Sequence, residues 1–276
     1  MISRRRTSDV GRSFLDVARP LAVRAAQRIS ALRQAPLVRQ RKVDRSLVTN
    51  ADHESDRILR EGLRKAFPEH AILTEESGLD GSAAAEYLWV VDPLDGTTAY
   101  AAGNPGYSVM VGLLKHGKPF VGLVVDPVEG HIYEAARGDG SFHTLGNVRR
   151  RVHVSRRNEL ATMPVITSTG FPHGLEEALR RDLCGPWVPA LSSVGIKVGC
   201  LVRELADIYI NHRRVHYWDT CAPQIILEEA GGVITFWDGT PLNYALGKKS
   251  YQHAGRTLAS NGLRHEDVLA ILRRLS

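Results

Sequence analysis

The 276-residue chain lacks most of the features that mark membrane, secreted or zinc-binding proteins. It has only three cysteines, Cys184, Cys200 and Cys221, without Cys-x-x-Cys spacing, so neither a disulfide framework nor a zinc site is supported. No apolar run reaches the roughly 18 residues that cross a membrane, and no sustained apolar segment indicates a secretory signal. We therefore expect a soluble protein with no membrane partner in a reducing compartment, the cytoplasm.

The chain also lacks internal repeats, low-complexity linkers and the interleaved aromatic residues of a nucleic-acid stacking platform. Its formal net charge is +6, but the arginines concentrate in short clusters such as 149–151 and 273–274. Such clusters are typical of solvated faces and can steer anionic substrates. We do not expect a nucleic-acid partner.

What the chain does contain is a continuous series of helix and strand patterns. The helical patterns cover about 13–34, 53–67, 175–183, 195–204 and 220–230. The strand patterns cover about 88–92, 107–114, 120–126, 131–136, 164–167, 206–210 and 233–236. We predict a disordered basic tail at 1–12 and one folded unit over 13–276, built from two closely packed halves of about 13–150 and 151–276.

The strongest chemical signal lies between Trp89 and Thr98. An apolar strand pattern at 88–91, which Pro93 should end, leads directly into Asp92 and Asp95. Because unpaired buried carboxylates each cost several kcal/mol, a divalent cation would remove the conflict between these acids and a buried strand. The alternative is that both acids only form a turn or cap a helix.

Three further acids stand at the ends of predicted elements. Asp219 opens a helical pattern, Glu75 follows an apolar strand pattern at 71–73, and Asp52 opens the helical pattern at 53–67. Asp52 taken alone could simply be a helix N-cap. At a helix N-terminus a carboxylate can face a shared cavity, and the helix dipole favours a phosphate there.

Together these elements resemble the inositol monophosphatase superfamily of magnesium-dependent, lithium-sensitive phosphatases over roughly residues 40–260. The signatures are Asp-Pro-Leu-Asp-Gly-Thr at 92–97, Trp-Asp-Thr-Cys-Ala-Pro at 218–223 and Glu-Ala-Gly-Gly at 229–232. The resemblance implies a layered α+β class, the sugar-phosphatase fold, in which an αβαβα sandwich holds the active site between its halves. It also makes a homodimer possible.

The resemblance further implies a magnesium site and a water-activating pair. The Mg²⁺ ligands would be Glu75, Asp92, Asp95, Asp219 and the backbone carbonyl of Leu94. All are oxygen donors, which suit this hard cation. Asp52, hydrogen-bonded to the Thr97 hydroxyl, would orient and deprotonate the nucleophilic water. The N–H groups of Gly96 and Thr97, with Thr98 beside them, would hold the phosphate.

Two departures from the inositol branch bear on the substrate. His212 replaces an acid that contacts inositol hydroxyls, and Lys197 stands where that branch tends to have a small residue. A lysine there can neutralise a second phosphate, although Lys197 could equally be a solvated helix residue and His212 a surface histidine. With Gly195, this neighbourhood resembles the branch that removes the 3′-phosphate from adenosine 3′,5′-bisphosphate.

Other features favour the inositol branch. The segment 167–172, which contains Ser168, resembles a stretch of bacterial inositol monophosphatases that precedes a substrate-facing loop, and a lysine common in the family falls on Arg41 or Lys42. We predict a Mg²⁺-dependent phosphomonoester hydrolase acting on a small anionic phosphorylated metabolite. Adenosine 3′,5′-bisphosphate is the first candidate, with inositol 1-phosphate and fructose 1,6-bisphosphate as alternatives. A non-catalytic relative that binds an anion or RNA is the alternative of another class.

Overall fold

The computed structural model describes residues 7–34, 38–41, 47–82, 84–245 and 251–275. Its helices are α1 (Thr7–Leu32), α2 (Asn50–Ala66), α3 (Thr97–Ala101), α4 (His173–Asp182), α5 (Val194–Val202), α6 (Tyr217–Glu229) and α7 (His265–Arg274), with a 3₁₀ turn at Leu160–Thr162. Its strands are β1 (Arg39–Arg41), β2 (Leu47–Thr49), β3 (Ala71–Thr74), β4 (Gly78–Asp80), β5 (Tyr87–Asp95), β6 (Ser108–Lys115), β7 (Lys118–Val125), β8 (His131–Ala136), β9 (Gly140–Leu145), β10 (Val148–Val152), β11 (Val165–Thr167), β12 (Ile208–Asn211), β13 (Val233–Phe236) and β14 (Thr257–Ser260). Arg41 ends β1, and Lys42 lies outside the described residues.

Five layers follow one another through the molecule. Helices α1 and α2 cover one face of an eight-stranded sheet with the order β10-β9-β8-β7-β6-β5-β3-β4. Helices α5 and α6 lie between this sheet and a four-stranded sheet ordered β11-β12-β14-β13, and α4 and α7 cover the far face of the small sheet. Each interface has its own apolar cluster, since both faces of both sheets are shielded from water. The predicted αβαβα sandwich is confirmed.

The end of β5 differs from the sequence expectation that Pro93 stops the strand. β5 continues through Pro93, pairs with β6 at Asp92↔Met110 and again at Asp95↔Ser108, and shifts register between these pairs. Proline has no N–H for the ladder, so a bulge carries the strand past it. Both acids therefore lie on strand backbone, and neither is in an exposed turn.

Helix α1 begins earlier than the helical pattern predicted. It starts at Thr7, within the segment 1–12 that was predicted as a tail, and residues 1–6 lie outside the described part of the chain. Arg12 in its second turn forms an ion pair with Asp139, with Nε 2.7 Å from Oδ2. No helix among the described residues is both long and apolar enough to span a bilayer.

Helix α6 approaches the large sheet unusually closely. A Cβ placed on Gly112 of β6 would lie 2.5 Å from Sγ of Cys221, and one on Gly122 of β7 would lie 2.5 Å from the carbonyl oxygen of Ala222. Because no side chain fits at either glycine, the helix rests directly on the strands. This contact brings the first turn of α6, with Asp219, to the end of β5.

Candidate metal centre and active site

Three carboxylates converge where β5 ends and α6 begins. One oxygen from each of Asp92, Asp95 and Asp219 lies within 4.8 Å of the others. Asp92 and Asp95 are 1% and 7% exposed, and the side chain of Asp219 is 17% exposed. Buried like charges at this separation are unfavourable unless a cation compensates for them.

The raised pKa values of two of these acids reflect this cost. Burial, followed by the charges of Glu75, Asp95 and Asp219, raises the pKa of Asp92 well above its usual range. Burial, followed by the charges of Asp95 and Glu75, does the same to the pKa of Asp219. Glu75 thus lies within electrostatic reach of the cluster, although it is outside the group whose oxygens are within 4.8 Å.

The donor set fits a hard divalent cation. All the acids offer oxygen, the atom that Mg²⁺ prefers, and a cation would offset the burial and repulsion that raise the pKa values of Asp92 and Asp219. The carbonyl oxygen of Leu94 lies 3.0 Å from Thr97 Oγ1, whose single proton is also within reach of Asp52 Oδ1, and a carbonyl oxygen has lone pairs for a further partner. The predicted ligands from β5 and α6 are therefore brought together, with Glu75 close by.

The first turn of α5 holds Asp95 in place. Ser193 Oγ donates to Asp95 Oδ2 at 2.6 Å, and the Gly195 N–H donates to the same oxygen at 3.1 Å. Ser193 is also the N-cap of α5, since its Oγ accepts from the Ile196 N–H at 3.0 Å. Ser193 was not among the predicted site residues, although a serine just before a helical pattern is a recognisable N-cap signal.

Backbone hydrogen bonds fix the other two acids. The Leu94 N–H donates to Asp92 Oδ1 at 3.0 Å, and the His216 N–H donates to Asp219 Oδ2 at 2.5 Å. Ser55 Oγ on α2 donates to the Pro93 carbonyl at 2.7 Å and ties the bulge of β5 to the helix. The sequence offered no signal for Ser55, because this contact depends on how α2 packs against β5.

Asp52 and Thr97 form a hydrogen-bonded pair beside the cluster. Thr97 Oγ1 donates to Asp52 Oδ1 at 2.9 Å, while Asp52 Oδ2 accepts from N and Oγ1 of Thr49 at 2.8 and 2.6 Å. Thr49 is the N-cap of α2, and Asp52 closes its capping box from the third helical position. The alternative that Asp52 is the N-cap was therefore wrong. Burial raises the pKa of Asp52, which makes its carboxylate a stronger base.

Gly96 shapes the turn between β5 and α3. Its φ is +91°, and a Cβ there would meet the Gly106 carbonyl oxygen at 2.8 Å, so both backbone conformation and space require glycine. Thr97 and the exposed Thr98 follow as the first residues of α3, whose leading N–H groups have no helical acceptor. Such N–H groups can bind a phosphate oxygen.

Lys197 is fully buried, so the alternative of a solvated helix residue was wrong. Its Nζ donates to Ser168 Oγ at 2.8 Å and to the carbonyl oxygens of Leu191 and Ser192 at 3.0 and 2.8 Å. Burial lowers its pKa to about 8, although the negative charge of Asp95 acts to raise it. Because an ammonium group has three N–H bonds, each already has an internal acceptor.

His212 follows directly after β12, outside the acid cluster. Its ring meets the Phe171 ring edge to face with centroids 4.9 Å apart, and its Nε2 accepts from Arg213 Nε at 3.0 Å. Burial, followed by the charges of Arg213 and Arg256, lowers its pKa to about 4. His212 is therefore a neutral, partly buried histidine on the edge of the small sheet near Ser168.

The chain is similar in sequence and in fold to known proteins of one family. The family model described as the inositol monophosphatase family matches residues 11–276. The phosphatase IMPL1 of Arabidopsis thaliana chloroplasts is 32% identical over 235 residues, which are 81% of this chain and 60% of that relative. A putative Nus factor SuhB of Neisseria meningitidis is 33% identical over 231 residues, 79% of this chain and 82% of the relative. The solved structure of an inositol monophosphatase from Anabaena is 33% identical, with a TM-score of 0.77 over 95% of this chain and 96% of the other.

Proposed function

Because this chain belongs to the inositol monophosphatase family, we propose that it hydrolyses phosphomonoesters with Mg²⁺ held at its acid cluster. One observation carries the proposal: Asp52 on α2 is hydrogen-bonded to Thr97, which lies two residues after the end of β5 that carries Asp92 and Asp95. A water-activating pair beside a set of metal ligands is the arrangement that metal-assisted hydrolysis requires.

Asp92, Asp95 and Asp219 would hold the metal with Glu75 and the Leu94 carbonyl. Mg²⁺ held by these residues would make water more acidic and would neutralise charge on the phosphoryl group. The protein keeps these oxygens in place through Ser193 and through the backbone N–H groups that contact the cluster. Fixed ligands avoid the reorganisation that would otherwise raise the barrier.

Asp52 and Thr97 would take the proton of the attacking water. Thr97 Oγ1 donates its proton toward Asp52, so its lone pairs can accept a hydrogen bond from that water. Asp52 is the base behind it, and its raised pKa favours proton uptake. The leading N–H groups of α3, at Gly96 and Thr97, would hold the phosphate oxygens in line.

Two of the candidate substrates have specific support. Inositol 1-phosphate is supported by the likeness to the Anabaena inositol monophosphatase. Adenosine 3′,5′-bisphosphate was expected from Lys197, but that ammonium group is occupied by Ser168, Leu191 and Ser192. The bisphosphate is still supported by His212, which stands where the inositol branch has an acid. His212 also lies within electrostatic reach of Arg213 and Arg256.

A non-catalytic role is the competing class, and one relative carries the name of a putative Nus factor. The buried acids argue against a purely binding function. A binding module gains nothing from three carboxylates within 4.8 Å of one another, whose repulsion costs stability.

The test is a panel of kcat/KM values for the wild-type chain with Mg²⁺, using inositol 1-phosphate, adenosine 3′,5′-bisphosphate and fructose 1,6-bisphosphate. We expect at least one ester to be hydrolysed with kcat/KM in the usual enzymatic range, above about 10⁴ M⁻¹ s⁻¹, and no phosphate release in EDTA. Absence of Mg²⁺-dependent release from all three, with the fold intact by circular dichroism, would contradict the proposal.

A further inference from the structure

A cavity of about 660 Å³ opens at one edge of the small sheet, outside the acid cluster. It is lined by His212, Arg214, Phe236, Trp237, Asp238, Thr240, Ala254, Gly255 and Arg256. Its location follows from strand pairing, because Asn211 at the end of β12 and Phe236 at the end of β13 both face Thr257 at the start of β14. The volume is in the range of small-molecule sites.

The cavity carries two arginines without acidic partners. Neither Arg214 nor Arg256 forms an ion pair with a carboxylate among the described residues, whereas Arg157 reaches the buried Asp207 at 2.5 Å. Asp238 also lines the cavity, but its Oδ1 accepts from N and Oγ1 of Thr240 at 2.8 and 2.6 Å. The two guanidinium groups therefore remain available to an anion.

One of these arginines is already ordered. The guanidinium of Arg256 lies over the Trp237 ring, 4.9 Å from its centroid, and Trp237 is only 6% exposed. Stacking on an aromatic face reduces the side-chain entropy that anion binding would otherwise cost. The in-plane N–H groups of a stacked guanidinium can still donate to an oxyanion.

The cavity lies near the proposed active site. Strand β11 runs parallel to β12, with Thr167 opposite Ile210, so Ser168 emerges at the same edge of the sheet as His212. Lys197, which binds Ser168, is among the cations that lower the pKa of His212, together with Arg213 and Arg256. His212, which lines the cavity, is thus within electrostatic reach of both Lys197 and Arg256.

We propose that Arg214 and Arg256 of this cavity bind a phosphate or carboxylate group. This anionic group belongs either to the leaving group of the substrate or to a separate metabolite. If the leaving group carries the anion, the proposal rests on the proposed hydrolase function, and the enzyme selects phosphomonoesters whose leaving group bears a second acidic group. If a separate metabolite carries it, the proposal does not depend on that function.

Direct binding tests the site itself. Inorganic phosphate is titrated calorimetrically into the protein in EDTA, which removes metal-dependent binding at the acid cluster. The double variant Arg214→Gln/Arg256→Gln should bind at least tenfold more weakly than wild type, since both cationic donors are removed and both side chains are exposed. The control Arg150→Gln/Arg156→Gln makes the same charge change at exposed positions outside the cavity and should bind within twofold of wild type. Equal affinity in all three proteins, or no binding by wild type, would overturn the proposal.

Kinetics then identify the source of the anion. With Mg²⁺ present, KM is compared for adenosine 3′,5′-bisphosphate and adenosine 3′-phosphate, which differ by one phosphate. A roughly tenfold rise in KM for the bisphosphate alone in the cavity variant assigns the anion to the leaving group. Unchanged KM values for both, with weakened phosphate binding, assign it to a separate metabolite. If wild type hydrolyses neither of these, nor inositol 1-phosphate or fructose 1,6-bisphosphate, the hydrolase function fails while the calorimetry still decides the cavity.

Discussion

Asp52 joins the start of α2 to the reactive loop, since one of its oxygens contacts Thr49 and the other contacts Thr97. Mutation should separate its structural role in the capping box of α2 from its proposed role as a general base. Asp52→Asn should lower kcat by about 10²–10⁴-fold, the usual contribution of a general base, and leave the Mg²⁺ concentration for half-maximal activity within a few-fold. The measurement is kcat across a Mg²⁺ titration.

The matched variant is Thr49→Val, which removes the capping hydroxyl and keeps the Asp52 carboxylate. It should cost about 1 kcal/mol of stability and change kcat only a few-fold. If Asp52→Asn retains wild-type kcat, or if both variants lose activity in parallel with stability, Asp52 is a structural cap and not a base.

At the residue scale, the sequence identified acids better than their supports. Asp92, Asp95 and Asp219 were predictable because acids at the ends of apolar elements conflict with burial unless something compensates. The three acceptors of Lys197 were not predictable, because Ser168, Leu191 and Ser192 reach it only after the chain has folded. A buried lysine with internal acceptors has the same sequence pattern as a solvated one.

The packing of α6 against the large sheet determines the position of Asp219. Gly112→Ala should destabilise the protein by about 1–3 kcal/mol, since the new methyl group would overlap Cys221 and force α6 away. The displaced helix should also raise the Mg²⁺ concentration needed for half-maximal phosphate release. Urea unfolding and a Mg²⁺ titration measure the two effects.

The control is Gly174→Ala in α4, where an added Cβ has no heavy atom within 4 Å among those described. Alanine favours a helix over glycine by up to about 1 kcal/mol, so this variant should be neutral or slightly more stable. Equal behaviour of the two alanine variants would show that the close approach of α6 is not needed.

His265 connects α7 to the small sheet and gives this contact a pH dependence. Its Nε2 and Nδ1 are 2.8 Å from Thr235 Oγ1 and Ser260 Oγ, and burial lowers its pKa from 6.5 to about 4. Between these values the unfolded chain binds the extra proton, so stability falls as pH decreases from about 6.5 toward 4. At about 1.4 kcal/mol per pKa unit, the full contribution should be about 3 kcal/mol.

Urea unfolding at several pH values tests this contact through His265→Gln. The variant should lose stability less steeply than wild type as pH falls from about 6.5 toward 4, while His153→Gln, at an exposed histidine, should keep the wild-type slope. Equal slopes in all three proteins would show that acid sensitivity arises elsewhere.

At the element scale, long periodic segments were the predictable ones. The strand patterns at 131–136 and 233–236 coincide with β8 and β13, whereas β9, β10, β14 and α7 were not predicted. Strand β10 has charged, exposed residues at its centre and β14 has only four residues, so neither shows a clear alternation. Helix α7 had a usable signal, because Val268, Leu269 and Leu272 recur at helical spacing.

The acid cluster sets a balance between stability and function across the whole molecule. In EDTA, Asp92→Asn should raise the free energy of unfolding by about 1–3 kcal/mol, because it removes one buried like charge from the site. Mg²⁺ should raise the melting temperature of wild type more than that of the variant. Differential scanning fluorimetry with and without Mg²⁺ measures both.

Asp16→Asn makes the same chemical change at an exposed position on α1 and should alter neither quantity. A metal-free Asp92→Asn protein less stable than wild type would mean that Asp92 contributes hydrogen bonds worth more than the repulsion it causes. The cluster would then not require a cation.

At the scale of the molecule, the resemblance supplied the layers but not the order of strands. The small sheet places β14 between β12 and β13 and pairs β11 parallel to β12. These neighbours are far apart in sequence, so no local pattern encodes their pairing. The cavity at that edge, with Arg214 and Arg256, follows from this pairing and was therefore beyond sequence reasoning. A homodimer stays a prediction.

The most direct test of a magnesium-dependent hydrolase centred on the acid cluster is the rate of phosphate release as Mg²⁺ is titrated into metal-free protein, using the best ester of the substrate panel. Wild type and Asp16→Asn should show no release without Mg²⁺ and a saturating rise with it. Asp95→Asn should stay at least about 100-fold below them at every Mg²⁺ concentration, because it weakens a carboxylate ligand of the metal. Release that persists in EDTA, or an Asp95→Asn titration that overlays wild type, would contradict the assignment.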